Sequence, residues 1–325
     1  MLISMENIYE KFNLKKVINA SGKMTALGVS KYNEKAIKAQ AFGGNHFFDM
    51  DELYIKVGAH LAKLIGAEDS QIVSSASAGI AQSVAALIGK GSQFHLYNPY
   101  SSEFSQREIV IPKGHNVDYG APIQTMIELA GGQVVEAGYA NKCTASLIKD
   151  VITENTAAIL YVKSHHTVQK SMLSIKEAVK VAQKHKLPLI LDAAAEEDLS
   201  KYLKLNVDLV IYSGAKALEG TSSGIVLGKK EYIEWIRLQS KGIGRAMKIG
   251  KENILGLAIA IEDYLENGSE TGESMKERIK PFIKKLNRIP TVNATIVKDL
   301  AGREIYRAKV SFSSELKIEA KEIEE

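Results

Sequence analysis

The stretch Tyr212-Ser213-Gly214-Ala215-Lys216 directly follows the apolar residues 207–211, Val-Asp-Leu-Val-Ile. A second apolar run, residues 187–191, ends at Asp192. Runs rich in valine, isoleucine and leucine without strict alternation are typical of strands that are covered on both faces. In such folds, sites form outside the carboxyl ends of the parallel strands. The two runs therefore predict a parallel sheet with Asp192 and Lys216 at neighbouring strand ends.

Similar apolar runs alternate with amphipathic helical patterns through the middle of the chain. The predicted strands are residues 109–111, 133–135, 157–162, 187–191, 207–212 and 224–227, and predicted helices cover residues 121–130, 175–185, 231–239 and 250–266. This alternation predicts a three-layer αβα fold around a mostly parallel sheet. We expect a large domain over residues 1–265. A small, abbreviated α+β domain would follow over residues 266–325, with strands at 295–297 and 308–312.

The composition is that of a soluble globular protein, with 45% hydrophobic and 25% charged residues in a chain of 325. A net charge of +4 is too slight to indicate a nucleic-acid partner. The single cysteine, Cys143, excludes a disulfide framework and fits a reducing compartment. Residues 1–12 lack a secretory signal, and the most apolar stretch, residues 72–88, is interrupted by serines and a glutamine. We therefore expect a cytoplasmic protein with no membrane partner.

The residue types at the predicted strand ends match the needs of pyridoxal 5'-phosphate. Lys216 would form the Schiff base, and Asp192 would keep the pyridine nitrogen protonated so that the ring acts as an electron sink. Small side chains after Asp192, among them Ala194, leave room for a flat ring. An aspartate that only caps the next turn is an equally good interpretation of Asp192 in isolation.

The start of another predicted helix would hold the cofactor's phosphate. Ser75, Ala76 and Ser77 precede the helical residues 80–87. Small residues let backbone N–H groups approach an anion, and the helix dipole favours its charge. Ser213, three residues before Lys216, offers a further hydroxyl. Serines at a helix start also serve as ordinary N-caps, so this signal alone leaves both interpretations open.

Three histidines follow predicted strands. His115 comes after residues 109–111 and could stack on the pyridine ring, although a loop histidine without a special task fits equally well. His165 and His166 follow residues 157–162, where one could act on the substrate while the other points away. Because adjacent histidines at a strand end are expected to diverge and no third ligand is evident, we predict no metal site.

Taken together, these stretches resemble the selenocysteine synthase-like branch of the fold-type I pyridoxal-phosphate enzymes. The resemblance covers residues 1–265 and implies that Lys216 is the Schiff-base lysine, Asp192 the partner of the pyridine nitrogen, and residues 75–77 with Ser213 the phosphate site. The matching stretches, in one order, are Val17-Ile18-Asn19-Ala20-Ser21-Gly22, residues 74–79, Ile190-Leu191-Asp192, Ser213-Gly214-Ala215-Lys216 and residues 242–248.

Within that branch, further stretches are similar to ammonia-lyases of phosphorylated amino sugar acids. They are residues 42–48, 112–120, 163–170, 192–198 and 245–251. The implied reaction is an α,β-elimination of water and release of ammonia from D-glucosaminate 6-phosphate, which gives 2-keto-3-deoxygluconate 6-phosphate. Arg245 would grip the substrate carboxylate, with Lys248 and Lys251 as point charges for phosphate. His46 would contact the substrate from a partner subunit. The sequence identifies no general acid for water loss.

Three alternatives stay open: a tRNA-dependent selenium transferase, a lyase or aldolase acting on another amino acid, and a non-catalytic binding protein. The selenium-transferring relatives have Asp where Ala215 stands and Gly-Ser-Gly where Ala194-Ala195-Glu196 stands. They also use an additional amino-terminal domain, whereas in this sequence the matching stretch at residues 17–22 lies close to residue 1. These departures favour a small-molecule substrate and no nucleic-acid partner. The resemblance further implies a homodimer or larger homo-oligomer, in which neighbouring subunits complete each site.

Overall fold

The computed structural model describes residues 8–20, 22–268, 270–298, 304–315 and 322. Ser21, part of the motif at residues 17–22, lies outside the described residues. The helices found are α1 (Ile8–Lys11), α2 (Glu34–Asn45), α3 (Met50–Ile65), α4 (Ala76–Gly89), α5 (Gln93–Tyr97), α6 (Ile123–Leu129), α7 (Ala145–Asp150), α8 (Ile175–His185), α9 (Lys230–Leu238), α10 (Lys251–Asn267) and α11 (Gly272–Leu286). The strands found are β1 (Asp69–Val73), β2 (Glu108–Pro112), β3 (Gln133–Ala137), β4 (Thr156–Val162), β5 (Leu189–Asp192), β6 (Leu209–Ser213), β7 (Gly224–Gly228), β8 (Val292–Lys298) and β9 (Tyr306–Phe312).

Seven strands form one sheet in the order β1-β7-β6-β5-β4-β2-β3. β7 is antiparallel to both of its neighbours, and the other strand pairs are parallel. The predicted mostly parallel sheet is therefore confirmed. Because β1 is antiparallel to β7, it runs in the same direction as β6, and its carboxyl end lies at the same edge as those of β2, β4, β5 and β6.

Strand β1 extends further than its apolar residues indicate. Its first three residues, Asp69, Ser70 and Gln71, are polar but buried. The Ser70 hydroxyl donates to the carbonyl of Gly58 at 2.8 Å, and Arg237 donates to Asp69 at 2.9 Å. Polar residues can occupy a buried strand when their hydrogen bonds are satisfied inside the protein. The spacing and hydrophobicity of the residues alone therefore predict a strand shorter than the β1 that is observed.

Helix α4 forms the centre of the core. Its residues 78–89 are all buried, and it packs against β6, β7, α6 and α9. Most of them are apolar on every face of the helix, as expected for a helix that is buried on all sides. The helix follows β1 after two residues, so its N-terminus lies at the sheet edge where β1 ends.

The chain separates into two compact units, Met1–Asp263 and Tyr264–Glu325. In the second unit, α11 lies next to the antiparallel pair β8 and β9, which contain the predicted strands at 295–297 and 308–312. The Asn287 side chain bonds both main-chain groups of Ala294, at 3.0 and 2.7 Å. The predicted domain boundary at residue 265 stays a prediction. None of the helices among the described residues is long and apolar enough to cross a membrane.

Candidate active site

Asp192 and Lys216 occur at neighbouring strand ends, as the sequence predicts. Asp192 is the last residue of β5 and is paired with Ile211 of β6, two residues before that strand ends. The backbone N–H of Lys163, just beyond β4, donates to the carbonyl of Asp192 at 2.8 Å. The parallel pairing of β5 with β4 and β6 therefore places Asp192 at the edge of the sheet where the carboxyl ends of these strands lie.

The Asp192 carboxyl group is enclosed. The residue is 7% exposed, and its Oδ1 accepts a hydrogen bond from the N–H of Ala194 at 3.0 Å. Burial raises the pKa of this carboxyl group, while the Ala194 N–H and the charge of Lys216 act in the opposite direction. Among the described residues, no cation comes within 4.0 Å of Asp192. A buried carboxylate in this state lacks the close cationic partner that its charge requires.

Lys216 is half-buried in the turn that follows β6. The N–H of Gly214 donates to the carbonyl of Ser223 at 2.8 Å, which folds the turn back on β7. From the amino-terminal segment, the Ser30 hydroxyl donates to the carbonyl of Ala215 at 2.7 Å. Lys23 forms an ion pair with Glu219 at 3.0 Å. The lysine is therefore positioned by contacts on both sides of its loop.

Ala194 and Ser213 bring the two loops together. The N–H of Ser213 donates to the carbonyl of Ala194 at 3.3 Å, and both residues are half-buried. The role of Ala194 in leaving room for a flat ring beside Asp192 stays a prediction.

The predicted phosphate site is the N-terminus of α4. Ser75 is its N-cap, and its hydroxyl accepts a hydrogen bond from the N–H of Ala78 at 3.0 Å. Gly224, the first residue of β7, lies against this turn: a Cβ at Gly224 would come 2.7 Å from the carbonyl carbon of Ser75 and 2.8 Å from the nitrogen of Ala76. Glycine at 224 thus permits the close approach that shapes the helix start.

Tyr119 is a residue that the sequence analysis did not assign to the site. Its hydroxyl lies 3.1 Å from the Ser77 hydroxyl. Burial is the main cause that raises the pKa of Tyr119, and the charge of Asp192 acts in the same direction. The phenol therefore lies within electrostatic range of Asp192 while it contacts Ser77 of the predicted phosphate site. No local sequence signal joins Tyr119 to Ser77, because they are 42 positions apart.

His115 has a fully buried side chain. Its Nδ1 accepts from the N–H of Val162 at 3.4 Å, its Nε2 lies 3.2 Å from the carbonyl of Val168, and its ring packs edge-on against Tyr161. Burial lowers the pKa of His115 to about 4, so the ring is neutral near neutral pH. These contacts connect the ends of β2 and β4. The stacking role of His115 stays a prediction, and it requires one ring face to be uncovered.

His165 and His166 lie in a turn after β4 and are exposed. Their ring centroids are 3.9 Å apart. The expectation that the two rings diverge is therefore wrong, because the chain leaves the strand at Lys163 and the alternation of side chains stops there. The catalytic role of either histidine stays a prediction.

The basic residues have different surroundings. Arg245 and Lys248 are exposed and line one cavity. Lys251 instead donates to the carbonyls of Gly43 and Gly44, the latter at 3.0 Å, near the C-terminus of α2. His46, the residue after α2, stacks on Phe42 with ring centroids 4.0 Å apart. In this arrangement the Lys251 ammonium group is occupied by main-chain oxygens, and its role in substrate binding stays a prediction.

Comparison with known proteins identifies the family. The family model described as SelA, L-seryl-tRNA selenium transferase, matches residues 17–312. The chain belongs to this family. It is 46% identical to a D-glucosaminate-6-phosphate ammonia lyase from Salmonella typhimurium, over 98% of this chain and 86% of the relative. It is 35% identical to a 5'-C-glycyluridine monooxygenase-decarboxylase from a Streptomyces species, over 92% of this chain and 76% of the relative.

A solved D-glucosaminate-6-phosphate ammonia-lyase structure superposes on this SelA-family chain with a TM-score of 0.90. It has 46% sequence identity and covers 96% of this chain and 84% of the solved chain. The resemblance predicted from the sequence motifs is confirmed, and so is the predicted fold class. The chain has the fold of these enzymes, and the candidate residues that end or follow β1, β2, β4, β5 and β6 lie at one edge of the sheet.

Proposed function

We propose that the protein binds pyridoxal 5'-phosphate at this edge and uses it to release ammonia from D-glucosaminate 6-phosphate. The observation that carries the proposal is the buried Asp192, which has no cation within ion-pair distance among the described residues. A pyridinium nitrogen would supply the missing charge. The relative that is 46% identical carries the name of this activity and supports the choice of substrate.

The residues present fit the cofactor. Lys216 would hold its aldehyde carbon covalently, and Asp192 would hold the proton on its ring nitrogen. The backbone at Ser75, Ala76 and Ser77 lies at a helix N-terminus, where N–H groups and the dipole favour a phosphate. We add the Tyr119 hydroxyl to this phosphate site, because it already contacts the Ser77 hydroxyl at 3.1 Å. The Ser213 hydroxyl would complete it.

Bound in this way, the cofactor would serve as the electron sink that makes the α-proton of the substrate acidic. The Nζ of Lys216, released by the incoming amine, would take that proton, with His165 or His166 as the other candidate base. The hydroxyl on carbon 3 leaves as water, and a water molecule replaces the nitrogen on carbon 2. The two waters cancel, so the net change is the loss of one ammonia.

Arg245 and Lys248 would hold the anionic ends of the substrate. Neither has an ion-pair or hydrogen-bond partner for its side chain among the described residues. Arginine suits a carboxylate because its planar fork donates two parallel hydrogen bonds, and lysine suits a phosphate as a point charge.

Ammonia release by the purified, pyridoxal-phosphate-treated protein tests the proposal. We expect turnover of D-glucosaminate 6-phosphate and a visible absorption band that borohydride fixes onto Lys216. Lys216→Ala should abolish both, whereas Lys184→Ala, on the exposed face of α8, should change neither. Ammonia release retained by Lys216→Ala would refute the proposed role of the lysine.

We also propose that the chain forms a homodimer or larger homo-oligomer in the cytoplasm. Large apolar side chains of the amino-terminal part are exposed, with Ile18 at 96% and Phe47 at 99% of their free area. Exposed apolar side chains in a connected region are typical of an interaction surface. His46, next to Phe47, would then contribute to the site of a second copy.

A further inference from the structure

The loop that follows β5 supplies a hydrogen bond to Asp192, and its conformation therefore bears on the site. We name residues 193–198 the acid loop. Its first N–H, that of Ala193, donates to the carbonyl of Ile211 in β6 at 2.9 Å. The N–H of Glu196 donates back to the carbonyl of Ala193, also at 2.9 Å. The acid loop thus begins on the sheet and turns back on itself.

Two buried tyrosines hold the second half of the acid loop. Tyr202 and Tyr212 are each only 1% exposed. The Tyr202 hydroxyl donates to the carboxylate of Glu196, and the Tyr212 hydroxyl donates to the carbonyl of Asp198 at 2.9 Å. Buried hydroxyl groups need hydrogen-bond partners, and both of these find one in the same short loop. A phenylalanine ring would fill the same space, so the hydroxyl groups are what ties the loop to the core.

The bond between Tyr202 and Glu196 is the stronger of the two. Its acceptor is a half-buried carboxylate, and hydrogen bonds to an ionised acceptor are roughly twice as strong as neutral ones. Burial is the first cause that raises the pKa of Tyr202, and the hydrogen bond to Glu196 acts in the same direction. The phenol therefore stays protonated and remains the donor of this bond.

Ala194 connects this loop to Asp192. Its N–H donates to Oδ1 of Asp192 at 3.0 Å, and it stands two residues before Glu196. Burial raises the pKa of Asp192, and the Ala194 N–H acts against that effect. An N–H that donates to one carboxyl oxygen favours the charged form and limits rotation of the group. Movement of the acid loop would therefore change both the charge and the orientation of Asp192.

We propose that Tyr202 and Glu196 are positioning residues of the site: their hydrogen bond holds the acid loop so that the Ala194 N–H stays on Asp192 and keeps this carboxyl group ionised and oriented. Tyr212 supports the same loop at its far end. Both positioning residues act through Asp192, and neither is assigned a contact with cofactor or substrate. The benefit to a bound pyridinium rests on the proposed function, whereas the effect on Asp192 itself does not.

A pH titration of the apoprotein tests the effect on Asp192 directly. Carbon-13 NMR of protein labelled at its aspartate carboxyl carbons follows the group, whose resonance is assigned with Asp192→Asn. We expect Tyr202→Phe and Glu196→Ala each to raise the pKa of Asp192, because the bond from the loop N–H weakens. Glu196→Gln keeps an acceptor oxygen for Tyr202 and should restore most of the wild-type behaviour. Lys216 and Tyr119, the other titratable groups that interact with Asp192, are unchanged in all three variants.

The protein treated with pyridoxal phosphate gives the second set of measurements. In Tyr202→Phe we expect the Kd for pyridoxal phosphate to rise and kcat to fall, each roughly tenfold, the effect of one lost hydrogen bond to a charged group. The acid limb of the pH profile of kcat should move to higher pH, while the KM for D-glucosaminate 6-phosphate stays unchanged. A loss of stability alone would lower the melting temperature without moving that limb.

Tyr161→Phe is the matched control. This tyrosine is 4% exposed and its hydroxyl donates to the carbonyl of Leu173 at 3.1 Å, outside the acid loop. It should lower the melting temperature as much as Tyr202→Phe does and leave the pKa of Asp192 unchanged. The proposal is overturned if Tyr202→Phe and Glu196→Ala both leave that pKa unchanged, or if Tyr161→Phe raises it equally. If wild-type protein releases no ammonia, the proposed function fails, but the NMR titration still decides this proposal.

Discussion

The Tyr119 hydroxyl lies 3.1 Å from the Ser77 hydroxyl, which joins the loop after β2 to the first turn of α4. A phosphate placed at this helix start would accept hydrogen bonds from both hydroxyl groups. Tyr119→Phe removes one donor and keeps the ring. We expect the Kd of the apoprotein for pyridoxal phosphate to rise roughly tenfold. Fluorescence titration measures it, and the exposed Tyr139→Phe is the control. An unchanged Kd would remove Tyr119 from the phosphate site.

Asp192→Asn tests the charge at the end of β5. The amide keeps the shape of the side chain but removes the negative charge that would hold a proton on the ring nitrogen. We expect turnover to fall on the order of a hundredfold, as for other lost electrostatic contacts to reacting groups. The absorption spectrum of the bound cofactor should shift as well. Asp150→Asn, at the exposed last residue of α7, should be neutral, and equal turnover in both variants would contradict the assignment.

Gly224→Ala tests the packing of β7 against the start of α4. The new Cβ would lie 2.7 to 2.9 Å from main-chain atoms of Ser75 and Ala76, so the helix start has to move. We expect a loss of about 1 to 3 kcal/mol in the free energy of unfolding and weaker pyridoxal-phosphate binding. Gly44→Ala is the matched control, because nothing lies within 4 Å of its Cβ position and it is helical. Denaturant titration would show whether the two variants differ.

His115 makes stability depend on pH. Burial lowers its pKa to about 4 in the folded protein, below the ordinary value of 6.5. Between these values the unfolded chain binds more protons, so the free energy of unfolding falls as the pH drops from 6.5 towards 4, by about 3 kcal/mol at most. His95, whose pKa is lowered by burial and by Arg107, acts in the same direction. His115→Asn should reduce this pH dependence, and the exposed His166→Asn should not.

Phe47→Asp tests the proposed self-association. Placing a charge on the fully exposed apolar ring should disfavour burial of this surface against a second copy. We expect light scattering after size-exclusion chromatography to give a smaller mass for the variant than for wild type. Wild-type protein that is already monomeric would contradict the proposal.

Much of the sheet could be predicted because apolar runs of valine, isoleucine and leucine form its central strands. The positions of Asp192 and Lys216 followed from the same runs. Strand β1 was understated, since three of its five residues are polar and satisfied internally. Hydrogen bonds between residues distant in sequence produce no periodic pattern of residue types, so the sequence does not indicate them.

The candidate site was harder to predict in detail. No local signal indicated that Tyr119 contacts Ser77, or that Lys251 donates to the carbonyls of Gly43 and Gly44. The contacts of a long side chain depend on which backbone groups, distant in sequence, need a hydrogen-bond partner. The local sequence does not indicate these groups.

The hydrogen bond from Ser30 to the carbonyl of Ala215 spans 185 positions of the chain. Closing a loop of this length costs conformational entropy, which the contacts between the two segments must offset. The conformation of the loop that carries Lys216 therefore depends on a residue near the other end of the same unit, and changes in the amino-terminal segment can alter the site without touching any of its residues.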